Sequence, residues 1–168
     1  GALDPAVPAM RTWFIVALVF SLIGDVFLML PEPKLFVAGL GSFLLGHIAY
    51  IVGMRQGELS GAGLVVGAVL VVTGLIAIGP TVVKGAHDTD STLAIPVLVY
   101  MIVISIMVTF AIGSGVTVAI VGAGLFFASD LAIGWSRFVD EFAHHRMVII
   151  VTYHVAQILL VGSLVVAR

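Results

Sequence analysis

Cysteine is absent from the 168 residues, and charged side chains are scarce. Without thiols the chain has no disulfide framework, thiolate metal site or cysteine nucleophile. Seven Lys and Arg against nine Asp and Glu give a formal net charge of -2, with no basic run that would neutralise a row of phosphates. We therefore expect no nucleic-acid partner.

Apolar residues dominate what is present. They make up 61% of the chain against 10% charged residues, and the mean hydropathy is +1.28, whereas about 25% of the residues of a soluble domain are charged. The bilayer is therefore the main solvent, and the fold class is an all-α, polytopic transmembrane helix bundle. Helices of about 20 residues with short connections nearly fill the chain, which predicts a single membrane domain over residues 1–168.

Six apolar stretches are each close to the length that crosses a bilayer, over residues 12–30, 35–54, 62–83, 93–112, 116–135 and 147–167. The first ten residues hold two prolines and an aspartate, so we expect a loop there. The other predicted loops are 31–34, 55–61, 84–91, 113–115 and 136–146.

Basic side chains fall on both sides of the predicted membrane. We call side X the one reached at the end of the first span and side Y the opposite one. Side X carries four basic residues and side Y three, so their number does not decide the orientation. They are Lys34, Lys84, Arg137 and Arg146 on side X, and Arg11, Arg55 and Arg168 on side Y.

Polar side chains interrupt four of these spans, namely Asp25, His47, Tyr50, Ser129, Asp130, Tyr153, His154 and Gln157. An aspartate in a membrane helix costs about 2.5 to 3.5 kcal/mol and needs a partner or a purpose. Counting 1.5 Å per residue from the span ends, Asp25, Asp130 and His154 all lie roughly 7 to 11 Å below side X. We therefore expect a functional site on that side.

Structural explanations compete with function at most of these positions. Either histidine alone is better explained by a hydrogen bond between helices. Tyr50, Tyr100 and Tyr153 are better explained as interfacial anchors or packing residues. The loop residues Arg137 and Arg146 either hold the loop or bind a lipid phosphate. For the two aspartates a function is favoured, because two acids at matched depth are expensive.

Four segments in this order resemble the YhhN-like lysoplasmalogenase family: SLIGDVFLML, FVAGLGSFLLGHIAYI, GAGLFFASDLAIGWSRF and VIIVTYHVAQILLVGS. They cover most of residues 14–165 and contain GD, a GxxxFxxxH stripe, SD and YHxAQ. The resemblance implies a multi-pass protein, in the inner membrane of a bacterium, that hydrolyses the vinyl ether bond of lysoplasmalogens. The products would be a fatty aldehyde and glycerophosphocholine or glycerophosphoethanolamine.

The implied partners are a lysophospholipid substrate and membrane lipid, and no cofactor or metal is expected. Family members usually have eight helices. The six found here, with none ahead of the helix that carries Asp25, predict a shortened N-terminus or helices outside this sequence.

Vinyl ether cleavage explains why buried acids would be needed. Protonation of the carbon β to oxygen gives an oxocarbenium ion, which water attacks, and the hemiacetal then collapses. Glycosidases meet the same demand with two carboxyl groups, one protonated and one ionised. The family's motif aspartates map onto Asp25 and Asp130, which we expect to be catalytic, with the proton donor left open. Supporting roles in binding substrate, orienting water or holding the acids fall to His47, Tyr50, Ser129, Tyr153, His154 and Gln157.

Two other functions remain open from the residues alone. A metal-dependent intramembrane lipid hydrolase would hold zinc with His47, His154 and an aspartate, although no HxxxH or HExxH pair lies within a span. A proton-coupled small-molecule carrier would also need acids within the membrane, although the two halves show no inverted repeat. For the hydrolase we expect a pocket that opens toward side X, is wide enough for a single-chain lipid and is lined by these polar residues, with an apolar tunnel for the alkenyl chain.

Overall fold

Six α-helices and no strand make up residues 6–30 and 33–166, the part of the chain that the computed structural model describes. They are α1 (Ala6–Met29), α2 (Pro33–Met54), α3 (Gly61–Thr89), α4 (Ala94–Ser114), α5 (Thr117–Phe138) and α6 (His145–Val166). Each is long and apolar enough to cross a membrane. The predicted all-α fold with six spans is confirmed, and the chain is a multi-pass membrane protein.

All six helices extend into segments that were predicted as loops, and α1 and α3 do so by the most residues. α1 begins at Ala6, because Pro8 lies in its first turn, where a missing N–H leaves no helical hydrogen bond unmade. α3 continues to Thr89, and within that extension the Lys84 Nζ donates to Asp88 Oδ2 at 2.7 Å, one turn later.

The loop before α6 is also shorter than predicted, since α5 ends at Phe138 and α6 begins at His145. In the predicted loop 113–115, α4 runs through Ser114, and Gly115 ends the helix with the positive φ of 67° that glycine adopts without strain. The predicted loop residues 31 and 32, together with residues 1–5 and 167–168, lie outside the described residues.

Consecutive helices pack as antiparallel pairs, α1 with α2, α3 with α4 and α5 with α6, while α2 and α4 also contact each other in the middle of the bundle. Serine hydroxyls reinforce two of these pairs. Ser42 Oγ donates to the Phe20 carbonyl of α1 at 2.7 Å, and Ser129 Oγ donates to the Ile149 carbonyl of α6 at 3.1 Å. In lipid, such bonds compensate for the weak hydrophobic drive between helices.

α1 and α2 make a close contact at Gly24. A Cβ built on this residue would lie 2.6 Å from ring carbons of Phe43, so only glycine leaves room for the ring. The close approach sets the position of Phe43, which lines the cleft described below.

Buried side chains form two clusters along the membrane normal. One occupies the bundle centre around Phe14, Tyr50 and Phe126. The other lies toward side X and consists of Phe36, Val82, Ala86, Val97 and Phe138. Large apolar side chains cover the outer surface, as expected of helices that face lipid. The polar groups of the site lie between these apolar regions.

Candidate functional site

Asp130 accepts two hydrogen bonds on the same carboxylate oxygen. Tyr100, on α4, donates its hydroxyl to Oδ2 at 2.5 Å, and Nε2 of His47, on α2, lies 3.1 Å from the same oxygen. Nε2 is also 2.9 Å from the Tyr100 hydroxyl. We call these three residues the Asp130 group; they join α2, α4 and α5.

Little of the Asp130 group is accessible to solvent or lipid. The His47 side chain is 1% exposed and that of Asp130 is 8% exposed. His47 Nδ1 is buried without a hydrogen-bond partner among the described residues. With Nε2 protonated toward Asp130 and Tyr100, the neutral ring leaves Nδ1 as an unpaired acceptor, which is a cost that native structures seldom carry without a reason.

Asp25 belongs to a second group of hydrogen-bonded side chains. Tyr153, on α6, donates its hydroxyl to Asp25 Oδ2 at 2.8 Å. Gln157 Nε2 donates to the Tyr153 hydroxyl at 3.3 Å, and Gln157 Oε1 in turn accepts from the buried hydroxyl of Tyr50. We call these four residues the Asp25 group; they join α1, α2 and α6.

The two aspartates share no hydrogen bond. The ring of Phe126 contacts both groups, edge to face, with its centroid 4.8 Å from His47 and 5.3 Å from Tyr153. Phe43 also packs against Tyr153, at 5.8 Å. The two acids are therefore held at the same end of the bundle in separate polar environments coupled through aromatic rings.

A cleft enters the X half of the bundle, and Asp130 and Tyr100 are the two ionisable residues on its wall. Its free interior volume is about 60 Å³, and the open space in front of its mouth brings the total to about 660 Å³. The rest of its lining is apolar and consists of Leu28, Phe36, Leu40, Phe43, Val82, Val97, Met101, Ile104, Phe127, Leu131, Ile133, Gly134 and Phe138. A chamber with apolar walls and a single carboxyl fits a lipid better than a sugar or an ion.

Asp25 does not line this cleft, although Leu28, one turn further along α1, does. Phe43 lines the cleft and packs on both Gly24 and Tyr153, so its ring separates the cleft from the Asp25 group.

Two of the residues proposed from the sequence form no hydrogen bond with either group, although the His154 ring packs edge to face on Tyr153 with 5.0 Å between the ring centroids. The Ser129 side chain is fully buried, and its hydroxyl bonds the Ile149 carbonyl of α6. His154 is exposed on the outer face of α6, and its Nδ1 lies 2.8 Å from the Ile150 carbonyl one turn earlier. The other six, Asp25, His47, Tyr50, Asp130, Tyr153 and Gln157, are brought together in the two groups.

Tyr100 is the participant that sequence reasoning missed. Its apolar surroundings, IPVLVYMIVISI, were consistent with a packing or anchoring role, and its partner Asp130 lies 30 residues away. One signal was available, because Tyr100 lies six residues from the start of α4, about 9 Å below side X, within the depth range already estimated for the aspartates.

The described residues contain no set of three His, Cys, Asp or Glu side chains that could hold a metal ion. His47 and Asp130 supply two donors, but His154, the third ligand of the zinc alternative, is on the outer surface. Zinc sites usually take three or four protein ligands. The residues present therefore do not fit the zinc site considered from the sequence.

The model of the YhhN family matches residues 3–164. Among curated relatives, "Lysoplasmalogenase TMEM86B" of Homo sapiens is 29% identical over 147 residues, which cover 88% of this chain and 61% of the relative. "Lysoplasmalogenase" of Mycobacterium tuberculosis is 35% identical over 136 residues, which cover 77% and 51%. The chain thus spans between about half and three fifths of the length of these relatives. No solved structure matches it.

The family match includes α1 to α5, α6 as far as residue 164, and every residue of the Asp130 and Asp25 groups. It confirms the resemblance that the four motif-bearing segments indicated. The chain belongs to the YhhN family.

Proposed function

We propose that this chain carries a membrane-embedded ether hydrolase that cleaves the vinyl ether bond of lysoplasmalogens. The observation that carries the proposal is the carboxyl group of Asp130 on the wall of an apolar cleft, where two side-chain groups converge on one of its oxygens. The relatives named lysoplasmalogenase support the substrate class. The products would be a fatty aldehyde and glycerophosphocholine or glycerophosphoethanolamine.

In the first step Asp130 acts as the acid. Its Oδ1 has no hydrogen bond to a described residue, so in the protonated form Oδ1–H is available to the substrate while Oδ2 remains bound to Tyr100 and His47. Transfer of the proton to the vinyl carbon β to oxygen leaves a carboxylate and an oxocarbenium ion. Tyr100 and His47 already point at the oxygen where the negative charge develops, which lowers the barrier without reorganisation.

In the second step water adds to the oxocarbenium carbon and loses a proton. We assign Asp25 as the base that accepts it, because its Oδ1 is also without a partner among the described residues and Tyr153 fixes Oδ2. Tyr50 and Gln157 hold Tyr153 through the hydrogen-bond chain of the Asp25 group. As the C–O bond of the neutral hemiacetal breaks, the hemiacetal hydroxyl proton passes to the leaving oxygen, which gives the aldehyde and the glycerol hydroxyl. Proton exchange with water then returns Asp130 to its acid form and Asp25 to its carboxylate.

The access of Asp25 depends on Phe43. Its ring lies on the cleft side of the Asp25 group, so we propose that a bound alkenyl chain displaces the ring and admits the carboxylate. We also propose that the six helices act as one membrane domain and that the protein resides in the inner membrane of a bacterium. The mycobacterial relatives support that location.

The test is aldehyde release from a 1-alkenyl lysophospholipid by the purified protein in detergent. We expect Asp130→Asn and Asp25→Asn each to lower kcat at least 100-fold, the lower end of what a general acid or base contributes. Asp140→Asn is the matched control, since Asp140 is exposed in the loop before α6. The same assay is repeated after chelator treatment.

Each alternative has its own result. Release that is lost on chelation and restored by zinc would favour the metal-dependent lipid hydrolase. No aldehyde from a folded protein, together with proton-coupled uptake of a small solute into proteoliposomes, would favour the carrier. Full activity of Asp130→Asn would show that Asp130 is not the acid and would contradict the proposed mechanism.

A further inference from the structure

We propose that Arg137 binds the phosphate of the substrate headgroup at the X mouth of the cleft, and so places the vinyl ether beside Asp130. The inference rests on the proposed function, because it assumes a lysophospholipid in the cleft. It assigns a specificity role to a residue that the chemical steps do not use.

Arg137 does not line the cleft itself, but its side chain packs on aromatic rings that do. Its Cζ lies 3.8 Å above the ring centroid of Phe36 and 6.0 Å from that of Phe138. Both rings line the cleft. A guanidinium that stacks by its face keeps its N–H donors free along the edge, where the planar fork matches two phosphate oxygens. The stack orders a long side chain before substrate arrives, which reduces the entropy lost on binding.

The spacing along α5 fits the substrate. Arg137 follows Asp130 by seven residues, so the two lie on the same face of the helix, about 10 Å apart along its axis. In a lysoplasmalogen seven bonds join the carbon that is protonated to the phosphorus atom. At roughly 1.3 Å of extension per bond they span about 9 Å. A phosphate at Arg137 therefore leaves the vinyl ether at the level of the Asp130 carboxyl.

The other described basic side chains on side X are less suited to this role. Lys84 is exposed and paired with Asp88 at 2.7 Å. Arg146 is exposed at the start of α6, a helix that contributes no residue to the cleft lining. Arg137 is exposed as well, but it is ordered against Phe36 and Phe138 of the cleft lining and carries a bidentate donor set.

The decisive test separates phosphate recognition from hydrolysis. Binding of a non-hydrolysable 1-O-alkyl lysophospholipid and of the matching 1-O-alkylglycerol, which lacks phosphate, is measured by native mass spectrometry on the purified protein. We expect Arg137→Gln to weaken binding of the phosphate ligand roughly 10- to 100-fold, as for the loss of charge-assisted hydrogen bonds. Binding of the alkylglycerol should change by less than about twofold, within the scatter of surface substitutions.

Arg146→Gln is the control and should leave both affinities unchanged. Arg137→Lys should recover only part of the lost affinity, because an ammonium keeps the charge but not the fork. Inorganic phosphate at millimolar concentration should not displace the lipid; equal competition by free phosphate would overturn the headgroup assignment in favour of a general anion site. Equal loss of both ligands in Arg137→Gln would show a merely structural role and also overturn the proposal.

These outcomes are independent of whether the protein hydrolyses vinyl ethers. Selective phosphate binding without aldehyde release would retain Arg137 as a headgroup site and reject the hydrolase. Aldehyde release at wild-type kcat/KM by Arg137→Gln, on the phosphate substrate, would retain the hydrolase and reject the headgroup site.

Discussion

Removing the hydroxyl of Tyr100 should impair catalysis more than folding. The Tyr100→Phe substitution keeps the ring on the cleft wall and deletes the 2.5 Å hydrogen bond to Asp130 Oδ2. His47 Nε2, 3.1 Å from the same oxygen, remains as a single donor. The carboxylate that forms after proton transfer therefore loses one of its two stabilising groups at the moment when its charge appears.

The size of the effect follows from comparable sites. Loss of one preorganised donor to a developing oxyanion lowers kcat by about 100- to 1000-fold, or about 3 to 4 kcal/mol. The stability loss should be smaller, about 1 to 3 kcal/mol, because Asp130 is left with one partner rather than none. The loss should fall on kcat and not on KM, since the hydroxyl acts mainly in the transition state.

The assay is aldehyde release under saturating substrate, with thermal unfolding followed by tryptophan fluorescence on the same samples. The matched controls are the other two tyrosines with buried hydrogen bonds. The Tyr50 hydroxyl donates to Gln157 and is three hydrogen bonds away from Asp25, by way of Gln157 and Tyr153. Tyr50→Phe should therefore lower kcat less than tenfold. Tyr153→Phe removes the donor to Asp25 and should resemble Tyr100→Phe.

The reasoning would be refuted by a folded Tyr100→Phe protein whose kcat stays within threefold of the wild type while Asp130→Asn is inactive. Asp130 would then act without help from Tyr100. An equal loss in all three tyrosine variants, parallel to their melting temperatures, would assign the hydroxyl groups to stability alone.

Three further predictions concern neighbouring positions. Gly24→Ala should lower the melting temperature and raise KM severalfold, because its Cβ would push the Phe43 ring; Gly41→Ala, where a Cβ meets nothing within 4 Å, is the control. Ser129→Ala should destabilise the fold by about 1 kcal/mol in thermal unfolding while kcat stays within twofold, since the hydroxyl bonds a carbonyl of α6. His154→Gln should change kcat/KM less than threefold in the aldehyde assay, because the ring faces outward.

Sequence reasoning predicted the spans well because hydropathy and length suffice for a membrane helix. Helix ends were less predictable. Polar residues such as Lys84 and Asp88 read as a loop in a hydropathy window, yet their spacing favours another turn of helix. The same limitation applied at Pro8, which was taken as a helix breaker although the first turn tolerates it.

Site residues could be predicted from the sequence where placing the side chain in the membrane costs free energy. They could not be predicted where their role depends on the direction in which the side chain points. An aspartate inside a span is conspicuous because it is expensive. Whether a polar side chain points inward depends on rotation by 100° per residue and on which helix is adjacent. Tyr153 and His154 are consecutive, yet one bonds Asp25 and the other faces outward.

Both aspartates are hydrogen-bonded in the same way, and these bonds also join neighbouring helices. Each accepts a hydrogen bond on Oδ2 from a tyrosine of another helix. Tyr100 of α4 donates to Asp130 of α5, and Tyr153 of α6 donates to Asp25 of α1. A tyrosine suits this task because its ring packs against apolar neighbours while its hydroxyl reaches the acid. The contact between α1 and α6 is small, so the Tyr153–Asp25 bond also fixes how the first and last helices meet. The carboxylate that we propose as the base is therefore held by a bond that also joins the first and last helices.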